Sequence, residues 1–237
     1  MKKILLCCLL LTLCASLAAQ TAGQVIDRYI TFVGGAGKWK AVRSVVCAGT
    51  YNYGGMEFPF RSFATAPDHY KFIVPFNGKS FIQAYDGSKG WKIDAFNGET
   101  QRTVLTGKNA RAMMNEADVE LESPWINYKA KGHRAELEGT DTVNGVRCYR
   151  IRLIRKGGEE ETGFFSSEDG ALLEKLAPSK NTELKNSLLA TYYSDYRQVS
   201  GLRIPFLSVS KSDGDTILKI ILSKVEVNAP VTENEFR

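Results

Sequence analysis

The chain has 237 residues, 43% hydrophobic, 11% aromatic and 24% charged, with a formal net charge of +5. That length suits one large β domain, since β barrels and sandwiches often run to roughly 200–250 residues. So mild a positive excess speaks against nucleic acid or an anionic membrane as partner, because binding DNA needs a clustered basic stripe.

Lys2 and Lys3 form a basic start, Ile4 to Leu13 an apolar run, and Leu17-Ala18-Ala19 a small-residue site before Gln20. This is the pattern of a secretory signal peptide cleaved after Ala19. The apolar run is shorter than the roughly 20 residues of a membrane span. Cys14 follows Leu13 rather than a small residue, so no acylated N-terminus is expected. The expected organisation is a signal peptide, residues 1–19, and a single domain, residues 20–237. Losing Lys2 and Lys3 takes the formal charge from +5 to +3. Of the five cysteines, Cys47 and Cys148 lie beyond the signal. An oxidising compartment permits a disulfide between them; two buried free thiols in separate strands are the alternative.

Gln24 to Phe32 reads as a short helix, with Val25, Ile26, Tyr29, Ile30 and Val33 at helical spacing and Gly34-Gly35 as its stop. Gly34 to Lys38 superficially resembles a phosphate loop. It lacks the glycine six residues before Lys38 and a preceding strand, and Trp39 replaces the magnesium-binding Ser or Thr. A turn into the first strand is expected there. Strands follow at about 43–53, 56–65, 69–75, 80–86 and 90–95, with another around 101–105. Their turns are Gly54-Gly55, Pro67-Asp68, Asn77-Gly78, Asp86-Gly87 and Asn97-Gly98; those with glycine tolerate the positive φ of tight hairpins. Alternation groups Tyr70, Phe72 and Val74 on one face, then Phe81, Gln83 and Tyr85, and sets Trp91 and Ile93 against Lys92 and Asp94.

The pattern then changes. Asn109 to Ala117 has helical composition, with Ala110, Met113, Met114 and Ala117 on one side. Glu120 to Tyr128, with Leu121, Pro124, Trp125 and Ile126, suits a second short helix or a loop. Strands resume at about 134–139, 146–155, 161–166, 171–177, 185–197, 201–210 and 216–227, turning at Asn144-Gly145, Gly157-Gly158, Asp169-Gly170 and Asp213-Gly214. The expected fold is mainly β, about eleven or twelve antiparallel strands with two or three helices covering the sheet.

Catalytic chemistry finds little support. His69 and His133 are far apart and lack metal-ligand spacing. No Gly-x-Ser-x-Gly elbow occurs. Glu159-Glu160-Glu161 beside Gly157-Gly158 reads as a solvated charge run at a hairpin tip. Asp86 is explained by its turn, so Asp86 and Asp94 make a poor pair of glycosidase carboxylates. No metal and no cofactor are expected. What remains is apolar: rings and methionines either pack helix on sheet or form adaptable walls for a greasy ligand.

Several stretches carry a resemblance to a known family. They are Tyr29-Ile30, Gly34-Gly35, Trp39 to Val45 and Gly49-Thr50; Ala66 to Phe72; Tyr85 to Asp94 with Phe96-Asn97-Gly98; Tyr193 to Arg197; Gly201 to Pro205; and Val225 to Asn228 with Phe236. In this order they resemble the periplasmic lipoprotein carriers of the LolA type and the outer-membrane lipoprotein-sorting proteins related to them. The resemblance implies a strongly curved antiparallel sheet, an unclosed half-barrel, with helices over its concave face. It implies a periplasmic, non-enzymatic, monomeric protein whose apolar cavity holds lipoprotein acyl chains or another hydrophobic ligand, with inner- and outer-membrane sorting proteins as candidate partners. The expected cavity wall and lid are Tyr53, Phe60, Tyr70, Phe72, Val74, Phe81, Tyr85, Trp91, Ile93, Met113, Met114, Leu121, Trp125 and Ile126, with Asn109 to Tyr128 as the lid. One position departs: Ala66 precedes Pro67 where such carriers have an arginine tied to the lid and to transfer, so transfer of the usual type is not implied. The alternative is an envelope sensor or scaffold of the same fold that binds a protein partner rather than lipid.

Overall fold

The computed structural model describes residues 20–107, 109–110, 123–179 and 187–237. Helix α1 spans Ala22–Phe32. Thr21 opens it: its side chain accepts from Gln24 N, and the Gln24 side chain accepts from Thr21 N. That capping box satisfies two N–H groups of the helix start. Gly34 and Gly35, at φ of 112° and 95°, turn the chain. A one-turn helix α2, Ala36–Lys40, follows where a plain turn was expected. Trp39 Nε1 donates to Val33 O at 3.1 Å and folds α2 back on α1.

The strands are β1 Ser44–Tyr53, β2 Met56–Thr65, β3 His69–Phe76, β4 Lys79–Asp86, β5 Gly90–Asp94, β6 Glu99–Leu105, β7 Arg134–Val143, β8 Val146–Ile154, β9 Glu160–Ser166, β10 Leu172–Pro178, β11 Leu188–Val199, β12 Leu202–Ser212 and β13 Asp215–Val227. All thirteen form one antiparallel sheet, ordered β6-β5-β4-β3-β2-β1-β13-β12-β11-β10-β9-β8-β7. Two meanders, β1 to β6 and β7 to β13, therefore meet through β1 beside β13. The sheet does not close; β6 and β7 are its edges. This is the expected mainly β half-barrel, with thirteen strands among the described residues rather than eleven or twelve. Asn77-Gly78, Asn144-Gly145 and Asp213-Gly214 take positive φ at both residues, as tight hairpins require.

Bulges bend the sheet. In the seam, Ala48 pairs with Lys224 but Gly49 pairs with Leu222, leaving Ser223 as an extra residue in β13. Such an extra residue kinks its strand and increases the twist. Gly49 permits the close approach: a Cβ there would lie 2.1 Å from Ile221 O and 3.0 Å from Leu222 Cα. Gly49→Ala is therefore expected to destabilise the protein by about 1–3 kcal/mol, seen as a lower urea midpoint with an unchanged slope.

Two cores lie on the concave side. Under α1, Val25, Ile26, Tyr29 and Val33 pack with Trp125, Ile126, Ile151, Leu153, Phe165 and Leu172. At the seam and the first meander, Val45, Cys47, Phe60, Ala64, Tyr70, Val74 and Tyr85 pack with Leu202, Phe206 and Val225. On the convex side, Phe236 inserts between Val46 and Phe63, and Val143, Cys148 and Phe164 form a smaller cluster. Cys47 and Cys148 are buried and not joined by a disulfide, so the two-thiol alternative holds.

The expected helix Asn109 to Ala117 lies outside the described residues beyond Ala110. Of Glu120 to Tyr128, residues 124–128 form turns, and Trp125 and Ile126 are fully buried. One charged residue corrects the sequence reading: Glu161 is buried, not solvated. It starts the inward run of β9 after the hairpin tip and pairs with Arg155 at 3.0 Å.

Candidate functional site: an apolar hollow in the concave face

The concave face is not filled. The described residues enclose a hollow of about 1240 Å³. That exceeds the roughly 300–1,000 Å³ of ordinary small-molecule pockets. Its floor is the alternation of the first meander: Tyr51 and Tyr53 from β1, Phe58 and Phe60 from β2, Phe72 and Val74 from β3, Phe81 and Gln83 from β4. The opposite wall comes from β11 to β13, with Tyr193, Tyr196, Ile204, Phe206, Leu218, Ile220 and Leu222. Tyr29, Val33 and Trp39 close it from the helices, and Asn109 and Ser123 to Trp125 bring in both described ends of the connection between the sheet edges. The rings interlock: Phe72 meets Phe60 at 5.3 Å and Tyr51 at 5.5 Å between centroids. At the rim, Tyr53, Met56 and Phe96 are exposed.

A polar corner lies beside α1. Tyr29 hydrogen-bonds Ser123, and Tyr196 donates to Leu172 O at 2.8 Å. Burial pushes the Tyr29 phenol up from 10.0 to about 12; the Ser123 bond and Lys175 pull it down, while Tyr193 and Glu161 raise it. Between about pH 10 and 12 the unfolded chain has lost this proton and the folded one keeps it. The folded state then binds more protons, so its stability falls as pH rises through that window. Tyr29→Phe removes the effect. Its unfolding free energy, from urea titrations, should fall less steeply than the parent's above pH 10, by about 1.4 kcal/mol per pH unit at most.

Of the expected wall residues, Tyr53, Phe60, Tyr70, Phe72, Val74, Phe81 and Trp125 line the hollow. Tyr85 and Ile126 are buried in the cores beside it. Trp91 and Ile93 face the other way. Register decides this: Trp91 pairs with Ala84 and Ile93 with Ile82, while Lys92 and Asp94 fall opposite Gln83 and Phe81. The convex Trp91 is held by its Nε1 donating to Phe236 O at 2.9 Å and by Arg102 stacked 3.8 Å over its ring. Met113, Met114 and Leu121 lie outside the described residues.

The remaining singled-out groups have structural partners. Asp86 accepts from Ser88 N, Ser88 Oγ and Lys89 N in its turn. Asp94 accepts from Asn97 and lies 3.9 Å from Lys92. His69 packs on Phe236, and His133 Nδ1 accepts from Lys156 N. Among the described residues no three metal-capable side chains come together.

No protein-family description and no curated protein matches the chain. Solved structures do. A DUF1329-family protein from Desulfovibrio piger superposes with a TM-score of 0.61 at 13% identity, covering 91% of this chain and 97% of its own. A putative outer-membrane lipoprotein-sorting protein domain from Vibrio parahaemolyticus gives 0.59 at 10%, covering 90% and 94%. A LolA superfamily protein from Nitrosomonas europaea gives 0.57 at 10%, covering 92% and 98%. The fold is that of the LolA-type half-barrels. All three structures match over nearly their whole length, so the likeness takes in both meanders and the seam. At such identities it concerns fold, and the site rests on this chain's own residues. Sequence reasoning missed the β11 to β13 wall of this hollow. Its signal was the alternation of Leu218, Ile220 and Leu222, which the Ser223 bulge then shifts so that Val225 faces in.

Proposed function

We propose that this protein is a periplasmic carrier or binding protein that holds the acyl chains of lipoproteins, or a similar hydrophobic ligand, in the hollow for outer-membrane sorting. The observation that carries the reading is the open volume of about 1240 Å³ walled by aromatic and aliphatic side chains. If a methylene needs about the 30 Å³ of a liquid water, a sixteen-carbon tail takes on the order of 500 Å³. Two such tails fit. Burying each methylene is favourable by about 0.8 kcal/mol, against the ordering cost of the ligand. The sequence-stretch and fold likenesses to lipoprotein-sorting proteins support the same ligand class. Secretion through a signal peptide of residues 1–19 would place it where such ligands travel. No chemical step is required of it.

A sensor or scaffold working through a filled concave face would have no use for so large a hollow. Native mass spectrometry of protein purified from bacterial membranes tests the proposal. Co-purifying lipid or acylated polypeptide is the expected result; a repeatedly empty protein would overturn it.

A further inference from the structure

The hollow is not uniformly greasy, and apart from the polar corner beside α1 three of its polar side chains, Ser62, Gln83 and Lys92, fall in one line. Cys47 pairs with Ser62, Ser62 with Phe72, Phe72 with Gln83, and Gln83 with Lys92. Ser62, Gln83 and Lys92 all line the hollow, on a single register row that crosses four strands, β2 to β5. Strands lie about 4.8 Å apart, so the row runs on the order of 15 Å from Ser62 to Lys92. The neighbouring row is Phe60, Val74 and Phe81, wholly apolar until Asp94 at its end.

Ser62 is 3% exposed, yet among the described residues no group hydrogen-bonds its hydroxyl, nor the amide of Gln83. Both face the hollow; covering such donors without meeting them is costly, so plain hydrocarbon laid over this row loses part of what its burial gains. Lys92 differs. Its Nζ lies 3.0 Å from Glu99 and 3.9 Å from Asp94, which already balance its charge. The row therefore suits a neutral acceptor better than a carboxylate.

We infer that the row receives the carbonyl groups of an ester- or amide-linked acyl lipid, with the hydrocarbon lying over the apolar rows beside it. Ser62 Oγ–H and the Gln83 amide N–H donate to those carbonyls. The inference rests on the acyl-binding reading and narrows it: linked acyl lipids are preferred over ether lipids and simple hydrocarbon.

The test compares dioctanoyl glycerophosphocholine with its dioctyl ether analogue, which has the same chains and headgroup but no carbonyls. Displacement of a fluorescent acyl probe gives both affinities. The parent protein should bind the ester about tenfold more tightly. In Gln83→Met, and in Gln83→Met with Ser62→Ala, that ratio should fall toward one while ether binding stays or improves. Melting curves confirm that each variant is folded. Equal affinities in the parent, or a ratio that survives both variants, overturn the carbonyl assignment alone. Binding of neither lipid overturns the acyl-binding reading and this inference with it.

Discussion

Phe72→Asp is expected to lower the affinity for a fluorescent acyl probe at least about a hundredfold, with the fold retained. Phe72 sits in the middle of the floor, against Phe60 and Tyr51, with part of its ring open to the hollow. In the empty protein an aspartate there reaches water through the hollow, so folding tolerates it. A bound acyl chain would strip that water and leave a carboxylate in hydrocarbon, at a cost of several kcal/mol. Protonation removes the charge, so affinity should partly recover as pH falls. Circular dichroism and a probe titration at neutral and acid pH check both halves. Unchanged affinity in a folded variant would place the ligand elsewhere.

Trp125→Ala is expected to cost about 3–5 kcal/mol of stability, read as a large fall in denaturation midpoint. The ring is 1% exposed and meets Phe165 edge-on at 4.9 Å. Gly163 makes room for it: a Cβ there would lie 2.7 Å from Trp125 Cζ2 and 2.8 Å from Phe165 Cε2. The same side chain lines the hollow, so acyl binding should weaken as well. Coupling with Gly163 separates packing from a general loss of structure. Gly163→Ala should cost clearly less in the Trp125→Ala background than in the parent. Equal costs in both would show that Trp125 does not fill that space.

Much of the sheet is legible because glycine turns punctuate it. Asn77-Gly78, Asn144-Gly145 and Asp213-Gly214 mark hairpins whose strands then follow by alternation. Alternation separates faces without saying which is concave. It grouped Tyr70, Phe72 and Val74 correctly, yet for β5 the larger side chains, Trp91 and Ile93, lie outside. The convex face there is covered by the chain's own C-terminal residues; Phe236 contributes a carbonyl to Trp91. That contact spans 145 residues and leaves no local pattern. Bulges hide the far wall for a related reason. An extra residue at Ser223 and the positive φ of Asp195 break the period of two within β13 and β11. The capping box of Thr21 and Gln24, by contrast, is a local signal, and it places the helix start at Ala22, two residues before the Gln24 expected from hydrophobic spacing. The polar row could not be read without the register of four strands.

The most direct test of the central claim uses the protein's three tryptophans. Trp39 and Trp125 line the hollow, while Trp91 is buried on the convex face. A brominated fatty acyl chain quenches tryptophan emission by contact. It should quench protein carrying Trp91→Phe strongly, and leave protein carrying both Trp39→Phe and Trp125→Phe nearly as bright as without ligand. Quenching of the second protein as strong as the first, or of neither, would contradict an acyl chain lying in the hollow.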